Sequence, residues 1–419
     1  MSDPQGNAGA EARASVTEFV NSSDPHLVRF FGGGHGITDE VVTVESALQV
    51  PAILAAVTFL SRTLAALPVK VYAKTETGRE VKKGDPVHGL LNWAANDETS
   101  GFDFRRAFWQ DVFTIGRGLA FVERNGRGQP INLWPLDVAK VTVERRQGRT
   151  LYHYQDGGRN VTYTAAEVLD LCFMPGADRL GGRSPIYSNA GTIGLAQAVT
   201  RYGARFFSNG GIPPFTISGP IKSAGGLARA SNDLTAAVKE IAAAGGNALA
   251  VPDGHTLNPL GIDPEKMQMV DTQRFLVEQI ARIYGLPPVF LQDLTHGTFS
   301  NTEQQDLHLS KHVIAPWCQA LEGVTNLKFY GRQGGQVFAE HVLDGLMRGD
   351  LRTRAEATSQ RINTGQLTIN EAREIENRPP VPGGDTPLVQ GAMVPANMAG
   401  QVFKLAETPA ADDEGQNDE

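Results

Sequence analysis

The chain has 419 residues, of which 41% are hydrophobic, and this is enough for two or three domains with buried cores. Its formal net charge of −8 argues against a protein that holds nucleic acid by neutralising phosphates, so any contact with DNA is expected to be loose. The two cysteines, Cys172 and Cys318, stand in apolar runs. They are expected to be free thiols in a reducing compartment rather than a disulfide.

Both ends of the chain are polar. The first 36 residues are small and polar and end in GGGHG, and the last 20 or so carry acids without balancing bases. We expect disorder at both ends, and we expect no signal peptide because a basic start and an apolar centre are missing. The glycine cluster has no convincing helix after it, so a phosphate-binding loop is not predicted there.

Residues 50–69, VPAILAAVTFLSRTLAALPV, have the length of a membrane span. Arg62 lies inside this stretch, and prolines mark both ends. Apolar residues recur on one helical stripe, at Ile53, Val57, Leu60 and Leu64. The pattern therefore predicts a packed amphipathic helix rather than a membrane span.

Residues 47–174 have mixed α and β character. The strand-like segment PVKVYAK comes first, and then a helix is predicted from FDFRRAFWQDVFTIG, with Phe104, Phe108, Val112 and Phe113 at helical spacing. Strand-like alternation follows in LAFVERN, KVTVERR, TLYHYQ and VTYTAAEVLDLCFM. The intervening NGRGQP and QDGGRN turns are typical of hairpins, so the sheet is expected to be largely antiparallel.

Two long helices are predicted in the middle of the chain. The first begins at Pro185 and ends at Gly210, and the second begins at Asp263 as its cap and ends at Gly285. Between them lies an insert with β-rich segments and a short helix. A compact β-rich module carried between two long helices is unusual for an enzyme domain.

Three histidines lie close together in HGTFSNTEQQDLHLSKHV, residues 296–313. His308 and His312 are four residues apart and share the polar face of a predicted helix, while the opposite arc holds Leu307, Leu309, Val313, Ile314, Trp317, Cys318 and Leu321. A zincin needs glutamate after its first histidine, and Leu309 stands there. We predict a solvated face, and a metal-dependent hydrolase using His296, His308 and His312 remains the alternative.

Pro316 stands inside the same predicted helix. It removes the hydrogen bond to the His312 carbonyl, which predicts a kink. No phosphate-loop motif, G-x-S-x-G elbow or C-x-x-C pair is present in the sequence. The acids Asp263, Glu265 and Asp271 suit the start of a helix better than a two-metal nuclease site. We expect no enzyme activity and no cofactor.

The order of several motifs resembles the portal proteins of long-tailed double-stranded DNA phages and of gene transfer agents. The matching stretches include VPAILAAVTFLSRTLAALPVKVY, LGGRSPI, RYGARFFSNGGIPP, RFLVEQIARIYGLPP, TFSNTEQQ and LTINEAREIENRPPVPGGD. They run from about residue 45 to 385. One departure is SNGGIPPFTISGP, where small residues and glycine usually continue in such portals.

The resemblance implies an α+β portal fold with an α/β wing, a two-helix stem, a small β-rich clip and a helical crown. Twelve copies would form a ring at one capsid vertex, and DNA would be packaged and ejected through its channel. The implied regions are a disordered arm (1–36), wing (37–184), stem helix (185–211), clip (212–262), stem helix (263–286), tunnel loop (287–302), wing with a kinked helix (303–341), crown (342–395) and disordered acidic tail (396–419).

The implied channel residues are Gln292, Asp293, Thr295, His296, Thr298, Ser300 and Asn301, and the implied stem contacts are Phe206, Phe207, Leu276, Ile280 and Ile283. Leu276→Asp is therefore expected to disturb assembly. The implied partners are further copies of the chain, non-specifically bound double-stranded DNA, the terminase large subunit, a head–tail adaptor and the major capsid protein, with no membrane. The implied location is the virion, after assembly in the bacterial host cytoplasm. Another capsid-associated interaction protein remains a further alternative.

Overall fold

The computed structural model describes residues 41–76, 78–208, 215–218, 229, 232–237, 240, 256–259, 269–291, 305–332, 336–343, 351–376 and 378–388. The predicted disorder of 1–36 and 396–419 falls outside these residues. The chain divides into two compact units, Met1–Leu346 and Met347–Glu419.

The first unit begins with two helices, α1 (Val44–Leu48) and α2 (Pro51–Ala66). Pro51 opens α2, where its fixed φ and missing N–H do no harm. The predicted stripe on α2 is confirmed, because Ile53, Val57, Leu60 and Leu64 are all buried in the core. No helix of the described residues is long and apolar enough to cross a membrane.

The next helices, α3 (Pro86–Asn92) and α4 (Gly101–Thr114), have side-chain caps that fix where they begin. The Asp85 carboxylate accepts a hydrogen bond from the Val87 amide, and the Ser100 hydroxyl accepts one from the Asp103 amide. Helix α4 packs against α2. Its predicted apolar face is confirmed, because Phe104, Phe108, Val112 and Phe113 are buried.

The described part of this unit contains three three-stranded sheets in which every pairing is antiparallel, so the prediction of antiparallel pairing is confirmed. The strands are β1 (Val69–Thr75), β2 (Gly78–Val81), β3 (Arg117–Arg124), β4 (Pro130–Pro135), β5 (Val141–Arg146), β6 (Arg149–Asp156), β7 (Arg159–Thr164), β8 (Val168–Cys172) and, far along the chain, β11 (Val337–His341). The sheet orders are β11-β1-β2, β4-β3-β8 and β5-β6-β7. Gly157 and Gly158 both have positive φ, as a two-residue hairpin turn requires.

The prediction of one strand over VTYTAAEVLDLCFM is wrong. The amide and hydroxyl of Thr164 both donate to the Glu167 carboxylate, at 2.8 and 2.7 Å, and this turn ends β7. After the turn, β8 joins a different sheet, where it pairs with β3 instead of β6. The alternation of apolar and polar residues therefore continues from β7 into β8, although the two strands belong to different sheets.

The first long helix is also divided. Helix α5 (Pro185–Ser188) and helix α6 (Ala190–Ser208) are separated by Asn189, whose backbone is not helical and whose side-chain amide donates to the Pro185 carbonyl. The second long helix is α7 (Met269–Tyr284), and the predicted cap Asp263 lies outside the described residues. Strands β9 (Phe215–Ser218) and β10 (Thr256–Pro259) pair antiparallel near the two ends of the insert.

The first unit ends with a π-helix (Leu309–Ile314), helix α8 (Ala315–Phe329) and β11. Both cysteines are free, as predicted, and Cys318 is buried while Cys172 is half-buried. Burial raises the pKa of the Cys318 thiol to about 12, so this thiol is chemically inert at neutral pH.

The second unit contains helices α9 (Leu351–Asn363) and α10 (Ile369–Ile375). Thr368 and Glu371 form a capping box at the start of α10. The Asn370 side chain donates to Asp385 and to the Val381 carbonyl, and it accepts from the Val381 amide. These hydrogen bonds of Asn370 hold the Pro- and Gly-rich segment that follows α10 against the start of that helix.

Candidate subunit interface and channel segment

Helices α6 and α7 lie side by side, and Gly203 of α6 is buried against Met269 of α7. A Cβ on Gly203 would overlap the terminal methyl of Met269. This methyl is the far end of a flexible side chain and can move aside, so the contact does not require glycine. The two helices flank the insert in sequence, so their contact brings both ends of the insert to one place.

Two of the predicted interface residues lie inside the protomer. Leu276 is 4% exposed and Ile280 is 1% exposed, and Ile280 belongs to the main core. A side chain covered by its own chain offers almost no surface to a neighbour, so Leu276 and Ile280 are removed as interface candidates. The prediction that Leu276→Asp tests assembly is corrected as well, because that change would place a charge in the core. Ile283 is half-buried.

Of the remaining candidates, Ile283 lies on α7, and Phe206 and Phe207 lie near the C-terminal end of α6. Phe207 is 73% exposed and Tyr202 is 39% exposed, and the ring of Phe206 lies 5.6 Å from that of Phe207. Leu195, Val199, Tyr202 and Phe206 follow one another at spacings of three and four residues. On α7, Val270 and Phe275 are also exposed, and the sequence analysis missed them because they do not share one stripe. Exposed aromatic residues in such numbers are typical of protein interfaces.

The segment 292–304 is firmly attached at its N-terminal end. A 3₁₀ turn, Pro288–Leu291, comes just before it, with Leu291 buried and the Phe290 ring 5.3 Å from that of Phe59. The Tyr284 hydroxyl donates to the Phe113 carbonyl at 3.1 Å. The predicted channel residues, Gln292, Asp293, Thr295, His296, Thr298, Ser300 and Asn301, all lie outside the described residues.

At the C-terminal end of this segment, a π-helix comes just before Pro316, where the sequence predicted a kink. Pro316 has no N–H and cannot close the ordinary bond to the His312 carbonyl. The preceding turn is wound wider, and the Ala315 amide donates to the Ser310 carbonyl five residues back. Leu309, Ser310, Val313 and Ile314 are buried, whereas Leu307, predicted to share the buried arc, is 55% exposed.

An aromatic cluster connects both attachments. The Trp317 ring lies 5.8 Å from Trp109, 5.3 Å from Phe113 and 5.6 Å from Phe173. The Tyr284 ring lies 6.4 Å from both Phe113 and Phe173. Aromatic pairs at these separations each contribute about 0.5–1.5 kcal/mol beyond burial of their area. The residues on either side of segment 292–304 therefore belong to one packed core.

The two described histidines of the predicted cluster are exposed. The rings of His308 and His312 are 4.9 Å apart, and both side chains face solvent. Among the described residues, no group of three or more His, Cys, Asp or Glu side chains is placed to hold a metal ion. The geometry therefore supplies no catalytic metal centre within that part of the chain.

Two glycines allow the backbone to cross on the way from the sheets to α5. Gly116 has φ +89°, and a Cβ there would lie 2.5 Å from the Arg183 carbonyl carbon and 2.6 Å from the Ser184 Cα. A Cβ on Gly182 would meet the Gly116 carbonyl from the other side. Ser184 then donates to the Thr114 carbonyl at 2.6 Å and caps α5. The close approach of Gly182 to Gly116 and the hydrogen bond from Ser184 give a physical reason for the LGGRSP motif, residues 180–185.

A buried ion pair holds the same crossing. The Arg117 guanidinium forms two bonds to the Asp170 carboxylate, at 2.8 and 2.6 Å, and a third to the Leu180 carbonyl at 2.7 Å. The Tyr152 hydroxyl donates to the same carboxylate at 2.6 Å, and burial together with Asp170 raises the pKa of Tyr152. The network joins β3, β6 and β8 to the loop that leads into α5.

The sequence matches known proteins over most of its length. A family model described as phage portal protein matches residues 51–377. The portal protein of Enterobacteria phage HK97 is 29% identical over 371 residues, covering 86% of this chain and 86% of that protein. A probable portal protein of Streptomyces phage phiC31 is 30% identical over 406 residues, covering 93% and 86%.

Solved structures share the fold. An HK97 family phage portal protein from Corynebacterium diphtheriae superposes with a TM-score of 0.56 at 17% identity, covering 75% of this chain and 98% of that chain. A chain from the neck of an empty gene transfer agent particle gives 0.56 at 19% identity, covering 86% and 100%. These matches give no support to a metal-dependent hydrolase. The family-model match covers more than half of the sequence, and the chain belongs to the phage portal protein family.

Proposed function

We propose that this chain forms a dodecameric ring at one capsid vertex, through which double-stranded DNA is packaged and later ejected. The observation that carries the proposal is the family match over residues 51–377. A related neck, that of a native gene transfer agent particle, was computed with C12 symmetry. The chain is a structural component of the virion rather than an enzyme, and energy for DNA movement comes from an ATPase partner.

The exposed face of α6 supports the ring. Tyr202, Phe206 and Phe207 present aromatic surface that the described part of the chain leaves at least partly open to solvent. Subunits of a closed ring use different patches on their two sides, so one such face needs a complementary surface on the next copy. We assign Phe206, Phe207 and Ile283 to this contact, together with Tyr202.

The charge and the attachment of segment 292–304 support the channel. A net charge of −8 disfavours tight phosphate binding, which suits a conduit along which DNA has to slide. The segment is polar, and the residues on either side of it are packed into the aromatic cluster. We assign Gln292, Asp293, Thr295, His296, Thr298, Ser300 and Asn301 to the channel wall, where they touch the DNA backbone without reading sequence.

We assign the remaining regions by the same scheme. Residues 37–184 and 303–341 form the wing, 185–211 and 263–286 the stem, 212–262 the clip, 287–302 the tunnel loop and 342–395 the crown. The β9–β10 pair supports the clip as a closed module, because it joins the two ends of the insert. The clip meets the terminase large subunit and later the head–tail adaptor, and the wing meets the major capsid protein. Assembly takes place in the bacterial host cytoplasm.

Negative-stain electron microscopy of the purified chain tests the ring. We expect particles with a central hole and twelve-fold symmetry, and we expect Phe207→Asp to abolish them. Interface aromatics contribute about 2 kcal/mol or more each, and the loss recurs at every contact around the ring. Val81→Asp is the matched control, because Val81 is also exposed, at 43%, but lies on strand β2.

Circular dichroism of both variants checks that the fold is intact. Rings in the wild type and in Val81→Asp, with folded single subunits in Phe207→Asp, support the proposal. Intact rings in Phe207→Asp contradict the assignment of the α6 face. A wild-type chain that stays monomeric or dimeric at micromolar concentration contradicts self-assembly.

A further inference from the structure

The pair His308 and His312 has the spacing of a chelating site. Two histidines four residues apart on a helix lie on one face, and this is the spacing with which the H-E-x-x-H motif holds zinc. The two rings lie 4.9 Å apart and are inclined at 46°. Two nitrogens bound to one tetrahedral zinc ion are about 3.4 Å apart, since each Zn–N bond is about 2.0–2.1 Å. Small side-chain rotations bring the imidazoles to that separation.

The rings are also available to bind. Both residues are exposed, and no hydrogen bond or ion pair joins either ring to another described side chain. The backbone that carries them is fixed, because the neighbouring Leu309 and Val313 are buried in the core. A pair held on a rigid backbone loses little entropy when it chelates, which favours affinity.

We propose that His308 and His312 form a two-imidazole site for a first-row divalent transition ion of the Zn²⁺, Ni²⁺ or Cu²⁺ class. The described part of the chain brings no third His, Cys, Asp or Glu ligand to the pair. Imidazole nitrogen suits these ions, while Mg²⁺ and Ca²⁺ prefer oxygen ligands. The site has no catalytic role.

Two charged side chains lie near the pair in sequence, Asp306 just before it and Lys311 inside it, and both are exposed. Their charges are opposite in sign, and solvent screens both of them. The metal cross-links residues 308 and 312, so it stabilises the wide turn that comes just before the hydrogen bond that Pro316 removes.

Isothermal titration of the untagged full-length chain with Zn²⁺ at pH 7.5 tests the site. We expect His308→Ala and His312→Ala each to raise the Zn²⁺ dissociation constant of one binding event by roughly a hundredfold, because the second ligand binds at high effective concentration. His153→Ala is the matched control, because His153 is a partly exposed histidine on β6 with no histidine partner among the described residues. Mg²⁺ is expected to give no corresponding binding event.

Thermal unfolding with and without Zn²⁺ gives a second readout. A Zn²⁺-dependent rise in melting temperature in the wild type and His153→Ala, lost in both pair variants, supports the proposal. Equal Zn²⁺ affinity in the wild type and His308→Ala overturns it. The binding does not depend on ring assembly, so monomers that bind Zn²⁺ through the pair would contradict the proposed function and leave this site intact. The consequence for the channel, a stiffened C-terminal attachment of segment 292–304, rests on the proposed function.

Discussion

Gly116→Ala is expected to destabilise the protein by about 2–5 kcal/mol, from two separate causes. A residue with a side chain at φ +89° pays roughly 1–2 kcal/mol in backbone strain. The new methyl would also lie 2.6 Å from the Ser184 Cα, well inside the roughly 3.5–4.0 Å of an ordinary carbon contact. The neighbour is backbone and cannot rotate away, so we add the roughly 1–3 kcal/mol of an overpacked site.

Two matched variants separate these causes. Gly128→Ala, at φ +78° with nothing within 4 Å, has the strain alone, and Gly182→Ala, whose φ is not positive, has the overlap alone. We expect the melting temperature, followed by tryptophan fluorescence, to fall roughly 3–8 °C in Gly116→Ala and by less in either control. If Gly116→Ala is no more destabilising than Gly128→Ala, the close backbone crossing is not what requires glycine there.

Two further predictions concern charged groups of the first unit. Arg117→Met leaves the Asp170 carboxylate without its cation and is expected to cost about 3–5 kcal/mol in chemical denaturation. Tyr152→Phe removes one hydrogen bond to the same carboxylate and is expected to cost about 1.5–3 kcal/mol. Similar losses in both variants would contradict a dominant ion pair. Burial and the nearby Asp137 raise the pKa of Asp111 from 3.8 to about 7, so the folded chain keeps a proton that the unfolded chain releases, and stability should fall as the pH rises from about 4 to about 7. Asp111→Asn should flatten this slope in melting temperatures measured across that range, whereas an unchanged slope would assign it to another group.

Local patterns predicted the elements whose partners are near in sequence. The stripe on α2 and the aromatic face of α4 are buried as the spacing indicated, and the QDGGRN turn closes a two-residue hairpin. Strand β11 was not predicted as a strand, because its partner β1 lies more than 260 residues earlier in the chain. Such pairing is decided by tertiary packing, and no short window contains the information.

For the proposed stem and channel residues as well, the sequence predicted the local pattern but not the tertiary contacts. Apolar spacing on α7 indicated that Leu276 and Ile280 are covered, but periodicity does not say whether the cover is the same chain or a neighbour. Pro316 predicted a broken helical bond, yet the form of the break depends on Leu309, Val313 and Ile314 all reaching the core, and a π-turn satisfies both demands. The predicted channel residues lie outside the described part of the chain, so their role stays a proposal.

The aromatic cluster holds the residues on both sides of segment 292–304. Tyr284 lies just before this segment and Trp317 just after it, and both rings contact Phe113 and Phe173. The packing of these flanking residues therefore depends on α4 and on the residue that follows β8. Changes at Phe113 or Trp317 are expected to act on the fold first, whereas the proposed function predicts that substitutions between residues 292 and 304 alter contact with DNA.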